Sequence, residues 1–382
     1  MHNNRQYDVA IVGGGLAGLA AAIQLAKAGK LVILFEKESY PFHKVCGEYI
    51  GMESWHFLER LGLDLSSMNL PIIKKLILTS PNGNTLHAGL TTGGFGLSRY
   101  TLDHLLVTIA RANGVEVLEK ARVNEIRFDE VFTLSYSHNG ATNLVNATLC
   151  CGAFGKRSNL DVKWQRKFLL SGNRKLNNYV GIKYQVIADW PEGVIGLHNF
   201  YDGYCGISKI EDNKYCLCYL TTAENLKRSG NKIETMELTV LSQNPHLKKI
   251  LQQAKRCEGF PVTISQISFD KKTAVENHVL CLGDAAGMIT PLCGNGMSIA
   301  FHTSKLATEC MLRFMNNEIS RQEMERQYAL SWNKQFAGRL KRGRWLQRFF
   351  GKKWLSNAFV HIVNLLPFMK KPLIRMTHGQ PF

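Results

Sequence analysis

The 382-residue chain has no run of 18 or more apolar residues, so no bilayer-spanning helix is expected. Its first residues, MHNNRQ, are polar and lead straight into an apolar run, so no secretory signal is expected either. Metal-ligand spacing is missing among the ten cysteines: Cys150-Cys151 and Cys216-x-Cys218 fall in strand-like stretches, which argues against zinc and for a reducing cytoplasm. Internal repeats and low-complexity tracts are absent as well. Acid is missing from one region only. Beyond Glu325 there is no Asp or Glu, while twelve Lys and Arg follow, and this stretch carries most of the formal charge of +17. Such an imbalance points to an acidic surface as partner. Hydrophobic content of 45% and charged content of 20% are ordinary for a globular chain of two domains.

What is present is concentrated first between Tyr7 and Lys37. An apolar run, Val9 to Val12, stops at Gly13-Gly14-Gly15, and an alanine-rich helical pattern follows to Lys27. Gly29 ends that pattern, and a second apolar run from Leu31 to Phe35 delivers Glu36. Gly13, Gly15 and Gly18 thus form G-x-G-x-x-G in a strand–helix–strand setting, with an acid about 20 residues on. The spacing predicts a tight turn at Gly13, close approach of a pyrophosphate at Gly15, and helix-on-strand packing at Gly18. Phosphates would sit on the helix N-terminus, and Glu36 would accept hydrogen bonds from a ribose, with Lys37 beside it.

Along the rest of the chain, Ser54–Leu61 reads as a helix, and Ile72–Thr79 as a strand entering a turn at Pro81-Asn82-Gly83-Asn84. SRYTLDHLL opens a helix, with Thr101 expected as its N-cap. From Arg166 to Phe269 long strands with tight turns suggest an antiparallel sheet that receives substrate. The strand Val279–Leu282 then runs into Gly283-Asp284, followed by Pro291-Leu292-Cys293-Gly294-Asn295-Gly296-Met297 and a helix. Asp284, at a strand end, can bond a sugar-alcohol hydroxyl. The 294–297 turn opens a second helix N-terminus suited to developing negative charge.

These paired elements resemble the FAD enzymes that include para-hydroxybenzoate hydroxylase, geranylgeranyl reductases and flavin-dependent halogenases. The resemblance covers roughly residues 5–320. It implies an α/β (α+β) fold: a Rossmann-like FAD domain of glutathione-reductase type (1–70, 98–165, 270–325), interrupted by an antiparallel-sheet substrate domain (71–97, 166–269). A basic helical segment, 326–382, would follow. It further implies Arg99 near the FAD phosphates, an adenine-side backbone contact at Val123, Gly283 and Asp284 at the ribityl chain, and Gly294, Asn295, Gly296 and Met297 beneath the isoalloxazine. Two departures stand out. CGAFGKRS places Phe154 where the hydroxylases carry an aspartate, and the Trp-x-Trp-x-x-Pro stretch of the halogenases is missing, which argues against halogenation.

The loop Lys44-Val45-Cys46-Gly47-Glu48 resembles the Cys-Gly loop of the geranylgeranyl reductases that approaches the flavin. Cys46 would supply a proton or shape the pocket, His43 or Lys44 would neutralise a reduced flavin, and Glu48 is a second proton source. Tyr204 and Tyr201 are candidates for the substrate wall. The expected activity is hydride transfer between flavin N5 and a carbon–carbon bond of a bulky apolar, isoprenoid- or polyketide-like substrate, free or carrier-tethered. NAD(P)H or another reductant would supply electrons. The alternatives are a monooxygenase using a flavin C4a-hydroperoxide and a non-catalytic electron-transfer flavoprotein. The basic tail, mixing Lys/Arg with Trp, Phe and Leu, fits a peripheral inner-membrane surface, an acidic carrier protein or a plain helical cap. No nucleic-acid motif accompanies it.

Overall fold

The computed structural model describes residues 6–170, 178–288, 295–347, 352–366, 368 and 379–382. Gly294, Cys293 and the preceding Pro291-Leu292 lie outside the described residues, as do several tail cations.

The first strand, β1 (Gln6–Val12), is buried and leads through the glycine turn into α1 (Leu16–Lys27) and back along β2 (Val32–Phe35). Alanine at five positions of α1 lets it pack closely on its neighbours. Its buried residues enter the main core, and Gly29, at φ +75°, ends the pattern. Next come β3 (Tyr49–Gly51), α2 (Trp55–Leu61), β4 (Ile72–Thr79) and β5 (Thr85–Gly96). The helix α3 (Arg99–Ala112) follows. Its N-cap is Ser98, whose hydroxyl accepts from Thr101 N at 3.1 Å, so the cap expected at Thr101 lies three residues earlier. The chain continues through β6 (Glu116–Leu118), β7 (Arg122–Asp129), β8 (Val131–His138), β9 (Ala141–Gly152), α4 (Asn159–Lys163) and α5 (Lys167–Leu170).

Four long strands come next: β10 (Tyr179–Ile187), β11 (Val194–Phe200), β12 (Gly203–Lys209) and β13 (Tyr215–Thr222). The helices α6 (Ala223–Arg228), α7 (Ile233–Thr239) and α8 (Pro245–Gln253) lead to β14 (Lys255–Arg256) and β15 (Val262–Ile267). After β16 (Val275–Glu276) and β17 (Val279–Cys281) the elements among the described residues are helical: α9 (Gly296–Met315), α10 (Arg321–Trp332), a π-helical stretch (Asn333–Ala337), α11 (Gly338–Gln347) and α12 (Lys353–Leu365).

The strands form two sheets. The first runs β16-β17-β9-β1-β2-β6, with β17, β9, β1, β2 and β6 parallel and β7-β8 attached antiparallel to β9. From β1 the chain moves to β2 on one side and later to β9 on the other. The strand order therefore reverses at β1, and in open parallel sheets that switch point opens the ligand crevice at the strands' carboxyl ends. The second sheet runs β14-β10-β13-β12-β11-β4-β5-β3, with β15 on β10. It is antiparallel except where β11 pairs with β4, and it includes Tyr49–Gly51, which the sequence did not mark as a strand.

A titratable group sits inside this second sheet. His198 on β11 is buried, its Nδ1 lies 2.9 Å from Thr79 Oγ1, and its ring stacks on His246 at 6.0 Å. Burial first, and His246 second, pull its pKa down to about 3. Between pH 6.5 and about 3 the unfolded chain binds a proton there that the folded chain does not, so stability falls as pH falls through that window. His198→Asn is expected to flatten the acid limb of a urea-midpoint profile by about 1.4 kcal/mol per pH unit at most. An unchanged slope between pH 4 and 6 would contradict this.

Candidate functional site

The turn after β1 is set by backbone contacts. Gly13 has φ +110°, and a Cβ there would lie 2.3 Å from the Ala153 carbonyl oxygen at the end of β9. A Cβ on Gly18 would lie 2.0 Å from Gly13 O, so α1 can seat on β1 only with glycine at this position. Gly15 differs. Its backbone is extended, and a Cβ would meet only Arg99 Nη2, at 3.9 Å. Its face is open, and it fronts a cavity of about 1180 Å³.

Glu36, at the end of β2, is buried and lines this cavity. Its Oε2 accepts from Gly14 N at 3.0 Å and its Oε1 from Glu38 N at 3.1 Å, which fixes the carboxylate while leaving acceptor capacity on each oxygen. Tyr40, absent from the sequence reading, donates its hydroxyl to Gly14 O and braces the turn from outside. Arg99, in the first turn of α3, lies beside Gly15. Its Nε and Nη2 donate to Asp103 at 2.7 and 2.8 Å, and Lys44 Nζ donates to the same carboxylate at 2.9 Å. Asp103 is fully buried. Burial alone would raise its pKa, but Arg99 and Lys44 outweigh that and hold it below the usual carboxylate range.

The opposite wall comes from β17 and α9. Gly283 N donates to Thr303 Oγ1 at 2.9 Å, and Asp284 follows on the cavity surface. Lys272 Nζ bridges Asp284 O (2.9 Å) and Lys156 O (2.7 Å), tying this wall to the turn that carries Phe154. Burial pulls Lys272 down to about 8. Gly296 and Met297 open the 20-residue α9 at the cavity edge, while Asn295, its N-cap residue, is buried behind that edge.

Thus Gly13, Gly15, Glu36, Lys37, Arg99, Val123, Gly283, Asp284, Gly296 and Met297 line one cavity, together with Lys44, Cys46 and Tyr204. Gly18 and Asn295 support it without lining it. Tyr201 is 43% exposed and lies away from it. Phe154 is also on the wall, edge-on to Trp164 at 6.1 Å.

The 44–48 loop is pinned between the sheets. Cys46 O accepts from Cys216 Sγ at 3.2 Å, and Gly47 O from Ser208 Oγ at 3.3 Å. Glu48, at φ +54°, accepts Arg99 N on Oε1 at 2.8 Å and forms a fully buried ion pair with Lys183 Nζ. Its Oε2 has no hydrogen-bond partner among the described residues. Burial raises the Glu48 carboxyl against the opposing charge of Lys183, and burial also raises the Cys46 thiol, which therefore keeps its proton near neutral pH. His43 stacks on Tyr100 at 4.6 Å, and its pKa is pulled down by burial and then by Lys183, so the ring is neutral near pH 7. Sequence reading missed Lys183, Asp103 and Lys156: Asp103 lies one helical turn after Arg99 and Lys156 two residues after Phe154, whereas Lys183 lies 135 residues from Glu48, where no local pattern marks it.

The residues fit FAD. The cavity exceeds the usual 300–1,000 Å³ of small-molecule sites. Gly15 leaves a cradle at a helix N-terminus, Arg99 stands beside it, and carboxylates (Glu36, Asp284) flank the two ends, where ribose and ribityl hydroxyls would lie. Comparison with known proteins agrees. The FAD binding domain family model matches residues 6–309. Conditioned medium factor receptor 1 of Dictyostelium discoideum is 24% identical over 86% of this chain and 68% of its own length. A digeranylgeranylglycerophospholipid reductase of Methanococcus vannielii is 25% identical over 85% of this chain and 82% of its own. The flavin-dependent brominase Bmp2 superposes with a TM-score of 0.77 at 19% identity, over 98% of this chain and 93% of that one, which shows a shared fold. With the family model spanning most of its length and the cavity built to match, the chain belongs to the FAD binding domain family and is an FAD-dependent oxidoreductase.

Proposed function

We propose that the chain transfers hydride between flavin N5 and a carbon–carbon bond of a bulky apolar, isoprenoid- or polyketide-like substrate, with NAD(P)H or another reductant as electron source. The observation that carries this reading is the wall that the second sheet gives the cavity. Leu76, Leu90, Ile195, Leu197, Ile264 and Ile267 face inward from four strands, a surface suited to an apolar chain. The name of the Methanococcus relative, a digeranylgeranylglycerophospholipid reductase, points the same way. So spacious an apolar chamber counts against a flavoprotein that only passes electrons.

Bound FAD supplies the redox step. The chain supplies the rest. Gly13, Gly15 and the α1 N-terminus would hold the phosphates, with Arg99 beside them; Glu36 and Asp284 would hold the hydroxyls at either end. Cys46, on the cavity wall with its thiol raised by burial, would supply a proton where a reduced carbon needs one. Lys183 and the Arg99 backbone fix the Glu48 carboxylate at the end of the same loop.

The test is anaerobic photoreduction of the FAD-loaded protein, followed by addition of a geranylgeranyl lipid or a carrier-bound unsaturated acyl chain. Return of oxidised-flavin absorbance without oxygen, with a saturated product, is expected. A requirement for oxygen and an oxygen atom in the product would replace this reading with a monooxygenase. Cys46→Ala is expected to slow substrate-driven reoxidation by about 10²-fold or more while leaving flavin reduction and FAD retention unchanged. Equal slowing of both half-reactions, or of neither, would remove Cys46 as proton donor.

A further inference from the structure

We propose that the outer face of α12, with the basic segment around it, is a docking surface for an anionic lipid bilayer. The helix has two apolar faces. Its inner face packs onto the second sheet: Val360 and Val363 are 1% exposed and form a cluster with Leu78 of β4 and Leu86 of β5. Asn364 Nδ2 donates to Thr85 O at 2.9 Å and helps lock this seating. The outer face is apolar without cover. Trp354 is 71% exposed, Ile362 47% and Leu365 65%, and at about 100° per residue these three fall within a quarter turn of each other, opposite Val360 and Val363. Leu366 and Phe368, just after the helix, are also exposed, Phe368 by 73%. Isolated exposed apolar residues need no explanation, but a contiguous stripe marks an interaction site.

Charge selects the occupant. Residues 326–382 hold twelve Lys and Arg and no Asp or Glu, so the stripe lies in a segment that attracts anionic surfaces and repels cationic ones. An acidic carrier protein would be drawn by the charge but gives no reason for Trp, Ile and Leu aligned in water. A bilayer surface uses both, with apolar side chains entering at headgroup level and cations over the phosphates. Among the described residues no helix is long and apolar enough to cross a membrane, so contact would be in the interfacial plane. The placement also suits an apolar ligand. Leu197 lines the cavity and packs against the same cluster that seats α12, and Leu76 of β4 lines the cavity beside it. Leu76 and Leu78 share one face of β4, so the seat of α12 adjoins the apolar end of the chamber. It does not depend on the reaction proposed above.

The experiment is co-sedimentation of the full FAD-loaded chain with phosphatidylcholine vesicles, with and without one quarter phosphatidylglycerol. Binding to the anionic vesicles is expected to be at least about tenfold stronger and to weaken with salt. The combined variant Trp354→Ser, Ile362→Ser, Leu365→Ser is expected to lose about tenfold or more of that binding while keeping FAD and melting temperature. Hydrogen exchange of the unaltered chain should show vesicle-dependent protection centred on α12. Equal binding to both vesicle types, full binding by the variant, or protection confined elsewhere would overturn the proposal. So would a salt-sensitive complex with an acidic carrier protein, or a dimer split by the variant, if vesicle binding is absent.

Discussion

Gly18→Ala is expected to reduce FAD affinity by ~100-fold and to destabilise the protein even without flavin. The added Cβ would lie 2.0 Å from Gly13 O and 3.1 Å from Ala153 Cβ. Both belong to the packed end of the first sheet, so the helix must back away from β1. Overpacking of this kind costs about 1–3 kcal/mol, and displacing the helix N-terminus removes donors aimed at the phosphates, where every 1.4 kcal/mol is about tenfold in affinity. Gly15→Ala is the informative partner. Its Cβ would meet nothing nearer than Arg99 Nη2 at 3.9 Å, so the flavin-free protein should melt like the parent, while FAD binding weakens because the methyl occupies space meant for the pyrophosphate. Thermal melts of flavin-free protein and fluorescence titration with FAD separate the two effects. Comparable destabilisation by both substitutions would contradict the assignment of Gly18 to packing and Gly15 to ligand.

The second large effect is at Arg99. Arg99→Met leaves the fully buried Asp103 with Lys44 as its one remaining cationic partner, and Lys44 is itself part-exposed. Breaking a buried pair from one side costs about 3–5 kcal/mol, because the remaining charge is uncompensated. Asp103 also loses the main charge that depresses its pKa, so the variant should be most destabilised near neutral pH and regain part of the loss as pH falls and the carboxyl protonates. Asp103→Leu combined with Arg99→Met should recover much of the stability but not FAD affinity, since Arg99 stands beside the phosphate turn. Urea unfolding of the two single variants and the double variant gives the cycle. Additive losses would show that the pair does not act as a unit.

Much of this site was legible before any coordinates. Glycines at 13, 15 and 18 followed by Glu36 specify a strand, a turn, a helix and a second strand within a short local segment, and the structure places Gly13, Gly15 and Glu36 on the cavity. Asp284, Gly296 and Met297 were legible for the same reason: a strand end and a helix start are local events. The cap of α3 was misplaced because Ser98 and Thr101 are both good caps, and only the chain's exit from β5 decides between them. Lys183 was invisible because a lysine in an alternating strand reads as solvent-facing. Its burial is set by the 44–48 loop, well over a hundred residues upstream, which brings Glu48 onto it. The parallel pairing of β4 with β11 has no sequence signal either, because register between distant strands is fixed by the assembled sheet. The two-faced character of α12 follows from Leu78 and Leu86 lying beneath it, which periodicity in the tail alone does not reveal.

One FAD is expected to lie across the cavity, its adenosine end at Glu36 and its ring end at the start of α9. A crystal structure of the FAD complex is the decisive measurement. The expected density has the adenosine ribose against the Glu36 carboxylate, the pyrophosphate at Gly15 and Arg99, the ribityl chain at Asp284 and the isoalloxazine beside Gly296 and Met297. A ring bound at Glu36, or FAD held outside the chamber between the two sheets, would contradict it.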